Sequence, residues 1–212
     1  MDQNIKKRNE LLAQAVIKGL ASRNMTGYYA ETKEEALKKA LEIIPEGSSI
    51  SWGGSMSVNE IGLKKAVLEG NYVLYNRDTA KTPEEKRQIE IQGFGSDFFL
   101  SSSNAVTEDG ILVNLDGNSN RVACIAYGPS HVLMIVGMNK VVKDVDAAID
   151  RVRNLAAPVN AQRFNGKTPC AVTGSCGNCK SRDSICCQLL ITRLERHEGR
   201  IHVILVNEDL GF

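Results

Sequence analysis

Apolar positions recur at helical spacing over residues 4–23, where Ile5, Leu12, Ala13, Val16 and Leu20 form one stripe. A short apolar run at Tyr28–Ala30 follows Gly27 and reads as a strand. Thr32 with Glu35 three residues on predicts a capping box and a helix through Ile44, stopped by Pro45 and Gly47. Ser48–Trp52 reads as a strand and Gly53-Gly54-Ser55 as a turn. Ser57 with Glu60 predicts a second capping box and a helix to Glu69, ended by Gly70. Tyr72–Tyr75 is a strand, Thr82-Pro83-Glu84-Glu85 a helix start, and Asp97–Ser101 a strand. Strands and helices alternating at this spacing predict an α/β fold with a mainly parallel sheet flanked by helices.

The pattern changes after Ser103. Thr107–Gly110 reads as a turn, and 111–115 and 121–127 read as an antiparallel hairpin joined by Asp116–Asn120. His131–Val136 is a continuous apolar run, as in a strand buried on both faces. A helix is expected over 144–156, another over 185–196, and a last strand over 201–206. No repeat or low-complexity segment interrupts the chain, which reads as one domain, 1–212, with a cysteine-rich insertion at about 168–188.

That insertion carries the most specific chemistry. Five of the six cysteines fall in the spacing C-x5-C-x2-C-x6-C-C, at Cys170, Cys176, Cys179, Cys186 and Cys187. Thiolates this close in sequence converge on one metal or one iron–sulfur cluster. Gly177, inside the Cys176–Cys179 pair, permits a tight turn. Redox-active thiols and unliganded cysteines are the competing readings. Disulfides have no support, because the charged first residues lack the apolar core of a signal peptide. Zinc sites more often show two C-x2-C knuckles and this segment has one, which favours a 4Fe-4S cluster while leaving zinc open. The expected ligands are Cys170, Cys176, Cys179 and Cys186, with Cys187 as the rival fourth.

Composition narrows the partners. Lys and Arg number 26 against 25 acids, a net charge of +1, so no global field draws the chain to nucleic acid. Residues 161–200 are locally basic, which suits an anionic thiolate cluster or simply a solvated face. No apolar run approaches the ~20 residues of a membrane span. A cytoplasmic protein is expected.

Two further places have site chemistry. Gly53, Gly54 and Ser55 lie between a strand and a helix, where backbone amides hold phosphate or carboxylate groups. No Walker loop or G-x-G-x-x-G is present, so no nucleotide cofactor is expected. Glu108 and Asp109, with Asp116 and Arg121, form the second set, suited to proton transfer and to gripping a polar substrate. Ordinary turn chemistry is the plain alternative. The three histidines form no ligand pair or triad.

The segments SWGGSMSVNEIGL and FFLSSSNAVTEDGILVNLDGNSNRVACIAYGPSHVLMIVGMNKVVKDVDAAIDRVRN resemble the LUD-domain family, associated with lactate utilisation. The resemblance implies a fold of the NagB/RpiA/CoA-transferase type and a bacterial cytoplasmic protein in or near lactate oxidation. It also implies iron–sulfur partner proteins. The cysteine extension is similar to one found in a subset of such proteins. Thr107–Gly110 resembles a Ser-Glu-Asn-Gly motif of CoA-transferases, which would make Glu108 a thioester-forming nucleophile.

Three functions therefore compete. The first is a redox accessory of hydroxy-acid oxidation, binding a small carboxylate. The second is a transferase or isomerase on a CoA-linked or phosphorylated metabolite, using Glu108 and Arg121. The third is a metal-dependent binding module. Self-association is left open.

Overall fold

The computed structural model describes residues 2–212. Its centre is a six-stranded, wholly parallel sheet in the order β1-β10-β7-β4-β2-β3. These strands are β1 (Thr26–Ala30), β2 (Ser49–Trp52), β3 (Val73–Leu74), β4 (Phe98–Ser101), β7 (His131–Gly137) and β10 (Ile201–Val206). A second, mixed sheet runs β8-β5-β6-β9, from β5 (Ala105–Thr107), β6 (Leu112–Asp116), β8 (Val141–Val142) and β9 (Gln188–Thr192). The expected α/β class, with a mainly parallel sheet between helices, is what the chain adopts.

Strands β7 and β10 explain why. Leu133, Ile135, Ile204 and Val206 pack into one core layer, with α2 (Lys33–Ile43), α3 (Met56–Glu60) and α4 (Leu63–Glu69). Val132, Met134, Val136, Val203 and Leu205 pack into the opposite layer, with α1 (Gln3–Ala21), α6 (Asn120–Ala126) and the second sheet. Both strand faces are apolar, so the sheet must be covered on both sides. Each such side chain contributes about 1.5–3 kcal/mol on burial.

Caps set the helix starts. Thr32 Oγ1 accepts the Glu35 amide at 3.2 Å, and Thr82 Oγ1 accepts that of Glu85 at 3.1 Å, opening α5 (Pro83–Gly93). The helix expected from Ser57 starts two residues earlier. Ser55 is its cap, accepting the Val58 amide at 3.3 Å, and Gly62 at φ +79° splits it into α3 and α4. The Ser57 side chain is thereby released from capping.

Two expected elements are different. Residues 121–127 are not a strand but lie largely in helix α6. The Asp116 carboxylate accepts the amides of Arg121 and Val122, and Ser119 at φ +67° turns the chain into the helix. The antiparallel hairpin is instead β5–β6, built around the Thr107–Gly110 turn. Residues 185–196 hold no helix. Gln188–Thr192 is strand β9, whose backbone pairs antiparallel with Leu112–Asp116. Beyond Asp144, which caps α7 (Val145–Arg151), the chain widens into a π segment (Val152–Ala156) and α8 (Ala157–Ala161).

The hairpin turn rests on the last turns of α1. A Cβ on Gly19 would lie 2.4 Å from the Asp109 carbonyl carbon, a contact with rigid backbone. Gly19→Val should therefore cost about 3 kcal/mol through overpacking. Urea titration measures this, with a lower midpoint at unchanged slope as the expected outcome.

Candidate functional site

Several chain segments meet where the parallel strands end. Strand β2 delivers Gly53 to Ser55, and the Gly53 amide donates to Leu100 O at 3.2 Å. A Cβ on Gly53 would lie 3.2 Å from Arg121 Cδ, so this glycine and Arg121 are brought together. Arg163 donates to Gly54 O at 3.4 Å from outside.

Arg121 is partly buried and anchored. Its Nη1 donates to Ser102 O at 3.2 Å and Asn114 Oδ1 at 2.7 Å. Its Nη2 donates to Asn104 Oδ1 and Leu115 O, both at 2.8 Å. Burial weighs against its charge, and Asp116 opposes that effect. The fork thus holds the loop after β4 to strand β6, rather than projecting free for a substrate. Asn114 Nδ2, beside it, is buried with no hydrogen-bond partner among the described residues.

Sequence reasoning missed the adjacent lysine. Lys140 ends the 3-10 turn that follows β7 and is buried. Its Nζ donates to Ser57 Oγ at 2.9 Å and to Ser102 Oγ at 3.1 Å. Desolvation, helped by Arg151 and Arg121 and opposed by Glu60, pushes its pKa down to about 7. Arg151, from α7, donates to Asn104 O at 2.6 Å and Asn139 O at 3.2 Å. No sequence signal marked it, because residue type alone does not reveal burial.

Beside the glycine turn is a cleft of about 370 Å³, within the ~300–1,000 Å³ range of small-molecule sites. Trp52, Tyr75, Phe94 and Phe99 form its apolar wall, and Arg77, Glu90, Asn118 and Asn120 its polar one. Arg77 Nη1 and Asn120 Nδ2 both donate to Glu90 Oε1, at 2.6 and 3.0 Å. Among the described residues Arg77 Nε is buried without a hydrogen-bond partner, with Asp78 Oδ1 3.9 Å away. Cys124 lines the cleft too, and burial pushes its thiol up to about 11, so it is a poor nucleophile.

Glu108 and Asp109 are elsewhere. Their turn packs on Gly19, near the amino end of β1, whereas Gly53–Ser55 follow the carboxyl end of parallel β2. Glu108 pairs with exposed Lys143 at 2.8 Å. Asp109 pairs with Arg23, and the Thr107 hydroxyl together with that guanidinium holds its carboxyl below the usual range. The expected union of Glu108 and Arg121 over one ligand is therefore not formed. The turn's polar groups are used in closing the hairpin and docking it on α1.

A family model for the LUD domain matches residues 13–206. The chain belongs to the LUD-domain family. The crystal structure of a DUF162-family protein from Deinococcus radiodurans shares the fold, with a TM-score of 0.53 at 11% identity over 94% of this chain and 98% of that one. No curated protein matches the chain. No helix among the described residues of this LUD-domain protein is long and apolar enough to cross a membrane.

The cysteine segment is fastened to this LUD domain at both ends. Cys170 lies in a short helix, α9 (Pro169–Thr173), capped by Thr168, whose hydroxyl is 3.3 Å from the Cys170 sulfur. Gly174 at φ +76° and Asn178 at φ +47° turn the chain on either side of Cys176. Arg153 holds Asn178 at 2.7 Å. At the far end the Cys187 amide donates to Asp116 O at 2.8 Å, and Ile185 packs on Gly117. Partial desolvation and the thiols of Cys170, Cys176, Cys179 and Cys187 together push Cys186 up to about 11. Among the described residues, no three His, Cys, Asp or Glu side chains converge in metal-ligating geometry. The donor set is all sulfur and confined to one segment, the chemistry a thiophilic metal would take.

Two outcomes test these assignments. Arg121→Lys puts three ammonium donors where the fork serves four acceptors, stranding at least one at about 1–3 kcal/mol. Glu108→Gln, breaking a pair whose Lys143 side chain is 77% exposed, should change stability by less than about 0.5 kcal/mol. Chemical denaturation of both variants checks the contrast. Lys140 predicts a pH signature. Between its folded value of about 7 and the ordinary 10.5, the unfolded chain binds the extra proton, so stability contributed at this site rises with pH. Below pH 7 the full cost of burying the cation is present. The stability difference between wild type and Lys140→Met should therefore climb in favour of wild type from pH 7 to 10, as followed by denaturant midpoints.

Proposed function

We propose that this LUD-domain protein is a redox accessory of small hydroxy-acid metabolism, of the lactate-utilisation type. It binds a small carboxylate at the carboxyl ends of the parallel strands and carries a metal centre, an iron–sulfur cluster by preference, on its cysteine segment. One observation carries the reading: the segment is anchored on the same structures that form the cleft. Arg163, just before it, touches Gly54, and Cys187, at its end, hydrogen-bonds Asp116, whose carboxylate starts the helix holding Arg121. The buried donors without acceptors, Arg77 Nε and Asn114 Nδ2, suit an anionic ligand.

Cys170, Cys176, Cys179 and Cys186 would hold the metal, with exposed Cys187 as the adjacent alternative. A cluster there supplies one-electron transfer. The chain's own residues bind and orient the acid, and the apolar wall of Trp52, Phe94 and Phe99 keeps water from one side of it. An iron–sulfur partner protein completes the electron path. The transferase reading loses ground because Glu108 is occupied by Lys143 and lies away from the glycine turn.

Purification without oxygen, followed by iron, zinc and acid-labile sulfide analysis, tests the proposal. Bound iron and sulfide with visible charge-transfer absorbance are expected, and Cys176→Ser with Cys179→Ser should remove them and lower the melting temperature. Zinc alone would overturn the redox role, and metal-free protein the whole centre. Gly54→Val, whose side chain would point toward Arg77, should weaken calorimetric binding of lactate or pyruvate without altering metal content.

A further inference from the structure

We propose that Lys140 is a reactive amine that condenses with the carbonyl carbon of a small 2-oxo carboxylate. The proposal rests on the small-carboxylate part of the reading above and names the substrate class and the reacting atom.

The geometry has three parts. First, Lys140 Nζ is met only by hydroxyls, Ser57 Oγ at 2.9 Å and Ser102 Oγ at 3.1 Å, and forms no salt bridge among the described residues. A lysine buried for structural reasons normally takes a carboxylate partner. Glu60, the acid that acts on it, instead accepts the Gly211 amide at 2.9 Å. Second, the groups around it are cationic. Arg121 and Arg151 both act on Lys140, and each spends its hydrogen bonds on carbonyl or amide oxygens. Desolvation first, and that positive charge after it, lower the amine's pKa to about 7, so a large share of it is unprotonated and nucleophilic at neutral pH, and the cations favour a substrate that brings its own negative charge. Third, the amine has thin cover. A Cβ on Gly211 would lie 3.3 Å from Lys140 Nζ and 3.1 Å from Ser57 Oγ. Gly211 therefore leaves a gap beside the amine that any other residue would fill, at the strand ends where ligands of open α/β sheets gather.

The step balances. The nitrogen lone pair adds to the carbonyl carbon, and a proton passes from nitrogen to the new alkoxide through a serine hydroxyl, giving a carbinolamine. The lone pair then expels the hydroxyl, which takes one proton and leaves as water. Amine, carbonyl and one proton become an iminium ion and water, with no change of oxidation state. The substrate carboxylate offsets the iminium charge that Arg121 and Arg151 would otherwise oppose. Ser57 and Ser102 are placed to carry the protons.

The test is reductive trapping of the native protein with pyruvate and cyanoborohydride, followed by peptide mapping. A reduced adduct on Lys140, formed at least about a hundredfold faster than on exposed Lys65, is expected because an ordinary lysine is almost wholly protonated at pH 7.5. Trapping should rise through about pH 7 and then level. Ser102→Ala retains the amine and should slow the adduct about tenfold or more. An adduct spread over exposed lysines, or none on Lys140, overturns the proposal. Calorimetry on the same protein separates the failures. Pyruvate that binds without being trapped sinks the amine chemistry alone, whereas pyruvate that does not bind sinks the small-carboxylate reading as well. Metal content, assayed independently, is unaffected by either result.

Discussion

Burying positive charge without matching carboxylates is the constraint on which the working end of this protein depends. Arg121, Arg151 and Lys140 converge after strands β4 and β7, and their hydrogen bonds go to carbonyls, amide oxygens and hydroxyls. Such an arrangement costs stability, since neutral acceptors repay the lost hydration of a cation only in part. The same chain shows the conventional solution at the other end of its strands. Arg200, buried before β10, is paired with buried Glu195 at 3.0 Å and also donates to the carbonyls of Cys124, Ile125 and Pro129. One end of the sheet is neutralised by a carboxylate, and at the other the cations rest on neutral acceptors.

The cationic end is connected to the cysteine segment through Asp116. Its carboxylate accepts the Arg121 and Val122 amides and its carbonyl accepts the Cys187 amide. One residue therefore fixes both the start of the helix that carries Arg121 and the last anchor of the thiols. Closing the sulfurs around a metal would draw on Cys187 and its neighbour and would bear directly on that residue. The coupling is mechanical and local, a shared backbone group rather than a path across the domain. Strand β9 begins immediately after Cys187, so pairing with β6 also limits how far the segment can drift.

Much of the frame was legible in the sequence because the central strands are long and apolar on both faces. His131–Val136 and Ile201–Val206 admit no other reading, and the Thr32 and Thr82 caps mark their helices by hydrogen-bonding chemistry that is local. The errors fell where local signals are symmetric. Arg121–Tyr127 has apolar residues at spacings compatible with strand or helix, and the Asp116 carboxylate decides for helix from outside the run. Gln188–Thr192 is a strand because β6 offers it an edge, a contact between distant segments that no window contains. Of the expected site residues, Gly53 and Arg121 do meet. Ser57 was read as a cap, yet Ser55 takes that role and leaves the Ser57 hydroxyl for Lys140. Lys140 itself gave no sign, because a lysine's chemistry is set by its burial and its neighbours.

Glu108 shows the reverse case, a residue whose type suggests chemistry and whose surroundings withdraw it. Its turn is built by Thr107, whose hydroxyl accepts the Ile111 amide at 2.8 Å and donates to Asp109, and by the close approach of Gly110 to Gly19. Those contacts hold the hairpin against α1, and Lys143 takes the remaining carboxylate. A solvated ion pair of this kind keeps the carboxylate hydrated and engaged, the state in which it is least able to attack a carbonyl. A dry amine flanked by two hydroxyls and two guanidinium groups is the opposite environment. The proposed chemistry is accordingly placed at the carboxyl ends of the strands, where the cations rest on neutral acceptors, and not at the hairpin turn that the sequence made more conspicuous.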